Sequence, residues 1–282
     1  MTSKFMIAAA AALMTSVAAP AVAQDMVDDQ PYNGLYVGVS GGYDVQGNDV
    51  GAAIGFDRNL DGTFTDAVTT STGANAFSTG FCNGRARDAT LAPTSCENDR
   101  NRASYYGRIG FDRQMGPFVI GLVGEFGKTE IVDYTSAFST TPANYVFSRA
   151  VDWEASGGIR AGFAADQTLF YGVAKLGYAR IDHRFTSTNT LNSFSTVVDD
   201  RDRKGFVVGG GVETRIMKNI SIGLEYSYHD YKDKDYKILV GRGSAAANNP
   251  FVLTPNTSGT VLRRQDDNFR WHSLRGVLGF HF

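Results

Sequence analysis

The chain ends Trp271-His272-Ser273-Leu274-Arg275-Gly276-Val277-Leu278-Gly279-Phe280-His281-Phe282. Successive side chains of an extended strand point to opposite faces. Leu274, Gly276, Leu278, Phe280 and Phe282 therefore share one face, and Ser273, Arg275, Val277, Gly279 and His281 the other. An apolar face backed by one that carries arginine suits a strand with lipid outside and a polar barrel interior inside. The edge strand of a soluble barrel is the competing reading. Strict alternation aims Trp271 inward and His272 at lipid, which predicts a bulge or an early end of the lipid-facing zone at that point.

Seven earlier stretches repeat the pattern. Their apolar faces are headed by Leu35, Val37, Val39 and Tyr43; by Tyr105, Ile109 and Phe111; and by Phe118, Ile120, Leu122 and Phe126. Further on come Trp153, Ile159 and Phe163, then Phe170, Leu176 and Tyr178, then Phe206, Val208 and Val212, then Ile222, Leu224, Tyr226 and Tyr228. Short turns near residues 114–117, 165–167 and 217–219 alternate with long polar connections. The first connection covers about residues 47–101, the third about 181–203 and the last about 231–268. The expected fold is all-β: an eight-stranded antiparallel up-and-down transmembrane barrel with four long extracellular loops and short periplasmic turns. A lipocalin-like soluble barrel also has eight strands, but it turns its apolar face inward and shows no such alternation of loop length.

Aromatic placement sharpens the choice. With both termini periplasmic, Tyr43, Tyr105, Phe126, Trp153, Tyr178, Phe206, Tyr226 and Tyr228 fall near the outer strand ends. Phe111, Phe118, Phe163, Phe170, Phe280 and Phe282 fall near the inner ends. Two membrane interfaces demand such paired girdles, and a soluble core does not.

The N-terminus agrees. Lys4 precedes an apolar run over residues 5–17, Pro20 breaks it, and Ala21-Val22-Ala23 offers a small-x-small cleavage site. Residues 1–23 read as a secretory signal peptide, leaving 24–282 as a single barrel domain. The net charge is -2 with no long basic block, so nothing points to nucleic acid. Cys82 and Cys96 are the only cysteines, and in an exported chain such a pair is expected to form one disulfide.

The strands resemble the alphaproteobacterial family of small OmpA-like, opacity-type outer-membrane barrels, which includes surface antigens and haemin-binding proteins. The residues that carry the likeness are Gly116-Pro117-Phe118-Val119-Ile120-Gly121-Leu122-Val123-Gly124-Glu125-Phe126, then Gly205-Phe206-Val207-Val208-Gly209-Gly210-Gly211-Val212-Glu213, then Ile222-Gly223-Leu224-Glu225-Tyr226-Ser227-Tyr228, and the terminal Phe282. The first loop, long and cysteine-bearing, departs from the shorter loops usual in that family. The resemblance implies outer-membrane localisation in a Gram-negative envelope, and a terminal aromatic, Phe282, read as a signal by the barrel assembly machinery. It also raises haem binding, with His183, His229 and Tyr231 as the residues to consider.

The inward faces collect Arg108, Glu125, Glu154, Arg160, Lys175, Glu213, Arg215, Glu225 and Arg275. An eight-stranded barrel is wide enough only for side chains to fill it. These charges are expected to form an ion-paired plug, the alternative being a narrow gated pore. In the first loop, Asp57, Asn59, Asp61 and Gly62 match the opening of a calcium loop, with Asp66 as a further oxygen donor and Val68 where the bidentate glutamate would stand. A plain polar turn is the other reading. His272 and Ser273 are adjacent and so face opposite ways, which argues against a hydrolase pair. No enzyme is expected, nor any cofactor beyond the calcium and haem just named. The expected role is structural and surface-exposed, with lipid and lipopolysaccharide as partners and a host or surface ligand reached through the loops. A narrow porin or a haemin or ligand receptor is the alternative.

Overall fold

The computed structural model describes residues 30–47, 53–87 and 96–282; the expected signal peptide lies outside them. In chain order the strands are β1 (Gly34–Val45), β2 (Ile54–Asp57), β3 (Gly80–Asn83), β4 (Arg85–Ala86), β5 (Cys96–Glu97), β6 (Arg102–Met115), β7 (Phe118–Thr129) and β8 (Val132–Ser139). There follow β9 (Ala143–Ala165), β10 (Thr168–Ser187), β11 (Ser193–Asp199), β12 (Asp202–Met217), β13 (Ile220–Lys232), β14 (Tyr236–Gly241), β15 (Thr260–Arg264) and β16 (Asn268–His281).

Eight of these close a barrel in the order β1-β6-β7-β9-β10-β12-β13-β16, and β16 returns to β1 with every pairing antiparallel. Closure leaves no strand edge in the lipid, where an unpaired backbone group costs several kcal/mol. The apolar faces point outward as the alternation requires: Leu122, Leu176, Leu224, Leu274 and Phe282 are all exposed. The turns between β6 and β7, β9 and β10, and β12 and β13 have two residues each. Gly116 sits in the first of them at φ 61°, which an L side chain rarely adopts.

Around the outer end, Phe126, Trp153 and Tyr178 stand ring against ring at 5.9 and 5.7 Å. Of the two outcomes expected near Trp271, a bulge or an early end of the lipid-facing zone, the bulge is absent, and one step of the same face further out stands the charged Arg270, paired with Asp230. Trp271 and His272 keep regular register with β13, and His272 with β1, so Trp271 is fully buried while His272 packs on the girdle rings Tyr226 and Tyr228. Alternation survives because the inward tryptophan has aromatic neighbours to cover it.

A bulge occurs elsewhere. Arg180 pairs with Trp153 and Ile181 with Val151, so Asp152 is extra. A bulge of this kind flips the faces of the strand that carries it. Below it Glu154 and Arg160 point inward; above it Arg149, Phe147 and Tyr145 do. β9 spans 23 residues and β10 spans 20, against the roughly 9–11 that cross a membrane, so the β9–β10 ribbon rises well beyond the lipid.

The long connections were expected to be polar loops. Instead, β8 pairs onto the risen part of β9 and β3 onto β8, while β11, β14, β15 and β2 form a second sheet from the first, third and fourth loops. Between the two sheets lies a core that includes Ile54, Phe56, Phe77, Tyr145, Phe147, Ile238, Val240, Phe251 and Leu262. Each loop is too short to bury a core by itself, and pooling their few apolar residues supplies one. The Cys82–Cys96 disulfide joins β3 to β5 in this cap.

Candidate functional site: the charged interior and its lid

The interior builds up in layers from the periplasmic end. Tyr32 closes that end, its hydroxyl donating to the carbonyls of Glu213 and Gln167 at 2.7 and 2.8 Å. Arg215 lies at this rim, donating to the carbonyls of Pro31 and Lys218, and so stands apart from the central charges. The other eight expected interior charges are all buried inside the barrel.

In the next layer Arg160 holds Glu213 at 2.6 Å and lies 3.5 Å from Asp112, with its guanidinium over the ring of Tyr171 at 4.1 Å. Ser221 and His281 complete the Glu213 carboxylate. Above it, Arg108 bridges Glu125 and Glu225 at 2.7 and 2.6 Å, Lys175 donates to Glu125, and the Tyr171 hydroxyl donates to Glu225 at 2.9 Å. Arg275 then lies over the Tyr106 ring at 3.9 Å and donates to Ser273 and to His229 Nε2, each at 2.9 Å. Arginine can only donate, so Nε2 is the acceptor and the Nδ1 proton goes to Glu154. Glu154 also accepts from Tyr106 and Tyr231, both at 2.6 Å.

A lid covers these layers. Trp271 stacks on His229 and Tyr231 and packs with Phe269, Ile131, Val151, Ala179 and Ile181. Beyond the lid a second ionic layer is centred on Arg149, which reaches Asp133 at 2.6 Å, Asp266 at 2.8 Å and Asp233 at 3.3 Å. Arg264 joins Asp133, and Arg203 joins Asp233. His183 places its two ring nitrogens 2.9 Å from Asp199 and Asp233. Burial alone would raise the Asp233 carboxyl, but the His183 hydrogen bond and the Arg149 and Arg203 charges outweigh it and hold it well below the usual range. Asp133 is likewise lowered, with Arg149 and Arg264 overcoming burial.

The residues considered for haem do not converge on an open site. His229 and Tyr231 are committed to Glu154 beneath Trp271, and His183 lies in the cap. In the first loop, Asp57 accepts from the amides of Asp61 and Gly62, Asp66 from those of Arg58 and Asn59, and Asp61 from Thr63. Among the described residues, no group of three or more His, Cys, Asp or Glu is arranged to hold a metal ion. Sequence reasoning missed the tyrosine hydroxyls and Asp112 as partners of the interior charges, although alternation had put Tyr106, Tyr171 and Asp112 on inward faces.

A closed antiparallel barrel with an apolar wall, aromatic girdles and a charged interior is an outer-membrane β-barrel. The comparisons agree with that class. No family model matches the chain. Over 150 residues it is 28% identical to a 22 kDa outer membrane protein of Rhizobium leguminosarum bv. viciae, which covers 51% of this chain and 61% of that relative. The chain therefore spans about three fifths of the curated relative's length. Among solved structures, the outer membrane protein OprG from Pseudomonas aeruginosa superposes with a TM-score of 0.50 at 12% identity, covering 89% of this chain and 98% of that one. The attachment invasion locus protein Ail of Yersinia pestis (TM-score 0.34, 12% identity, 89% and 99% covered) and the Escherichia coli outer membrane protease OmpT (0.40, 10%, 92% and 99%) are more distant likenesses.

Proposed function

We propose that this protein is a structural, surface-displaying barrel of the opacity type, which reinforces the outer membrane and presents its β-sheet cap to the surroundings. The observation that carries this reading is the filled interior. Every layer from Tyr32 to Arg149 is closed by buried side chains; Arg108, Lys175, Arg160 and Arg149 each meet a carboxylate, and Arg275 is held by Ser273, His229 and the Tyr106 ring. Moving one of these charges aside would strand its partner in a low-dielectric site, so a permanent water path is opposed at each layer. The role has no catalytic step. Phe282, at the periplasmic rim with its amide donating to the Leu35 carbonyl at 2.9 Å, serves as the assembly signal.

The test is a deletion strain. It should leak periplasmic enzyme and become sensitive to detergent, and re-expression of the full chain should restore the barrier. A deletion strain with wild-type leakage and detergent tolerance contradicts the proposal.

A further inference from the structure

Trp271 and Tyr231 lie face to face, ring centroids 5.4 Å apart and planes 11° from parallel, and both are fully buried. Their polar hydrogens have different surroundings. The indole Nε1 has no hydrogen-bond acceptor among the described residues. The Tyr231 hydroxyl donates to Glu154 at 2.6 Å. Tyr106 donates to the other oxygen of the same carboxylate, also at 2.6 Å. One buried base thus stands ready for two phenolic protons, beneath an indole that has none for its own.

The slot that holds Tyr231 is shaped by two inward glycines. A Cβ at Gly177 would collide with the phenol hydroxyl, and one at Gly205 with the ring. The two phenols on Glu154 are not equivalent. The Arg275 guanidinium lies over the Tyr106 ring at 3.9 Å, so loss of an electron from that ring is opposed by a cation. Tyr231 is stacked on the indole instead. The periplasmic end differs again, because the Tyr32 hydroxyl donates to the backbone carbonyls of Gln167 and Glu213, which do not take up a proton.

We infer that Trp271, Tyr231 and Glu154 form a buried radical site, a sink for one-electron oxidation at the outer surface. The oxidant is a one-electron acceptor such as an organic peroxyl radical, and His272, the chain neighbour of Trp271, is exposed at the rim it reaches. Trp271 gives one electron to the oxidant, which becomes the peroxyl anion. With no acceptor for its N–H proton, the indole stays a cation radical and takes an electron from Tyr231 across the stack. The Tyr231 O–H bond breaks in the same step, and its proton passes to Glu154, already within hydrogen-bond reach. The indole is restored, Tyr231 is a neutral phenoxyl radical and Glu154 a neutral carboxylic acid. The site is independent of whether the interior conducts.

The test uses the full mature chain refolded in detergent micelles, with folding checked by heat-modifiable gel migration. The chain has two tryptophans, so Trp153→Phe leaves Trp271 as the sole source of an indole radical. Laser photoionisation removes one electron from that indole, and transient absorption follows the indole radical as it gives way to a tyrosyl radical. On this background the double variant Tyr106→Phe with Tyr231→Phe should abolish the fast conversion, and Tyr231→Phe alone should slow it more than Tyr106→Phe alone. Glu154→Gln, which still accepts both hydrogen bonds but takes up no proton, should slow it about a hundredfold. Tyr32→Phe should leave it unchanged. Unchanged conversion in the folded double variant or in folded Glu154→Gln would overturn the proposal. So would the reverse order of the two single variants, loss of fast conversion in Tyr32→Phe, or an indole radical that never yields a tyrosyl radical.

Discussion

Trp271 lies flat against His229, ring centroids 4.7 Å apart and planes 14° from parallel, and this contact divides the protein into two ionic compartments. Below it His229 joins Arg275 to Glu154 within the lipid-spanning barrel. Above it Arg149 gathers Asp133, Asp233 and Asp266 in the cap. The rings between them keep the two compartments apart.

Removing that partition should be costly. Trp271→Ala opens a cavity bounded by His229, Tyr231 and Phe269 and should destabilise the folded barrel by about 3–5 kcal/mol. Urea titration in detergent, followed by gel migration of folded and unfolded forms, measures this. An unchanged midpoint would mean that the lid packs loosely.

Arg149 is the hub of the cap. Arg149→Met leaves three carboxylates facing one another without their main cation, and a loss of about 3–5 kcal/mol falls on the cap alone. Limited trypsin digestion of intact folded protein should then cut within the third and fourth loops while the barrel core stays protected. Full protease resistance would show that the hydrophobic core between the sheets suffices without the ionic layer.

The same hub predicts the response to acid. Asp233 and Asp133 have folded pKa values held below their unfolded values, burial being outweighed by His183, Arg149, Arg203 and Arg264. Asp199 is also lowered, by His183 and Arg201 against burial. Their stabilisation is complete above the ordinary aspartate pKa of about 4 and is lost as pH falls below it. Amide exchange in β11, β14 and β15, corrected for its intrinsic pH dependence, should accelerate below about pH 4 while β6 and β7 stay protected. Uniform protection down to pH 2 would rule out these pairs as a stability source.

Deleting Phe282 should harm assembly more than folding. The ring is half exposed, so its burial contributes at most about 2–3 kcal/mol. Membrane levels of the truncated protein should fall much further than its urea midpoint. Wild-type membrane levels would remove Phe282 from the assembly pathway.

The barrel was legible because its strands carry a period of two with constant parity, as from Leu274 to Phe282. Loop length and the paired girdles supplied the topology. The cap was not legible, for two physical reasons. The extra residue at Asp152 reverses the parity of β9, so Tyr145 and Phe147, at odd positions like Trp153 and Ile159, continue the sequence pattern but point inward instead of outward. The strands of the second sheet are short, and residues such as Ile54, Val240 and Leu262 find one another only through tertiary pairing. Within the interior, alternation located the charges but not their partners. Nothing local tells that Tyr106 and Tyr231 both serve Glu154, or that Arg215 turns to the rim, because strand stagger around a closed barrel decides which side chains share a level.

Single-channel recording on purified mature protein in planar bilayers tests the central claim most directly. A plugged barrel gives no stable unitary current in the wild type, and Trp271→Ala leaves the lower ion pairs closed. Steady openings of tens of picosiemens from the wild type would contradict the account and make the interior charges the lining of a pore.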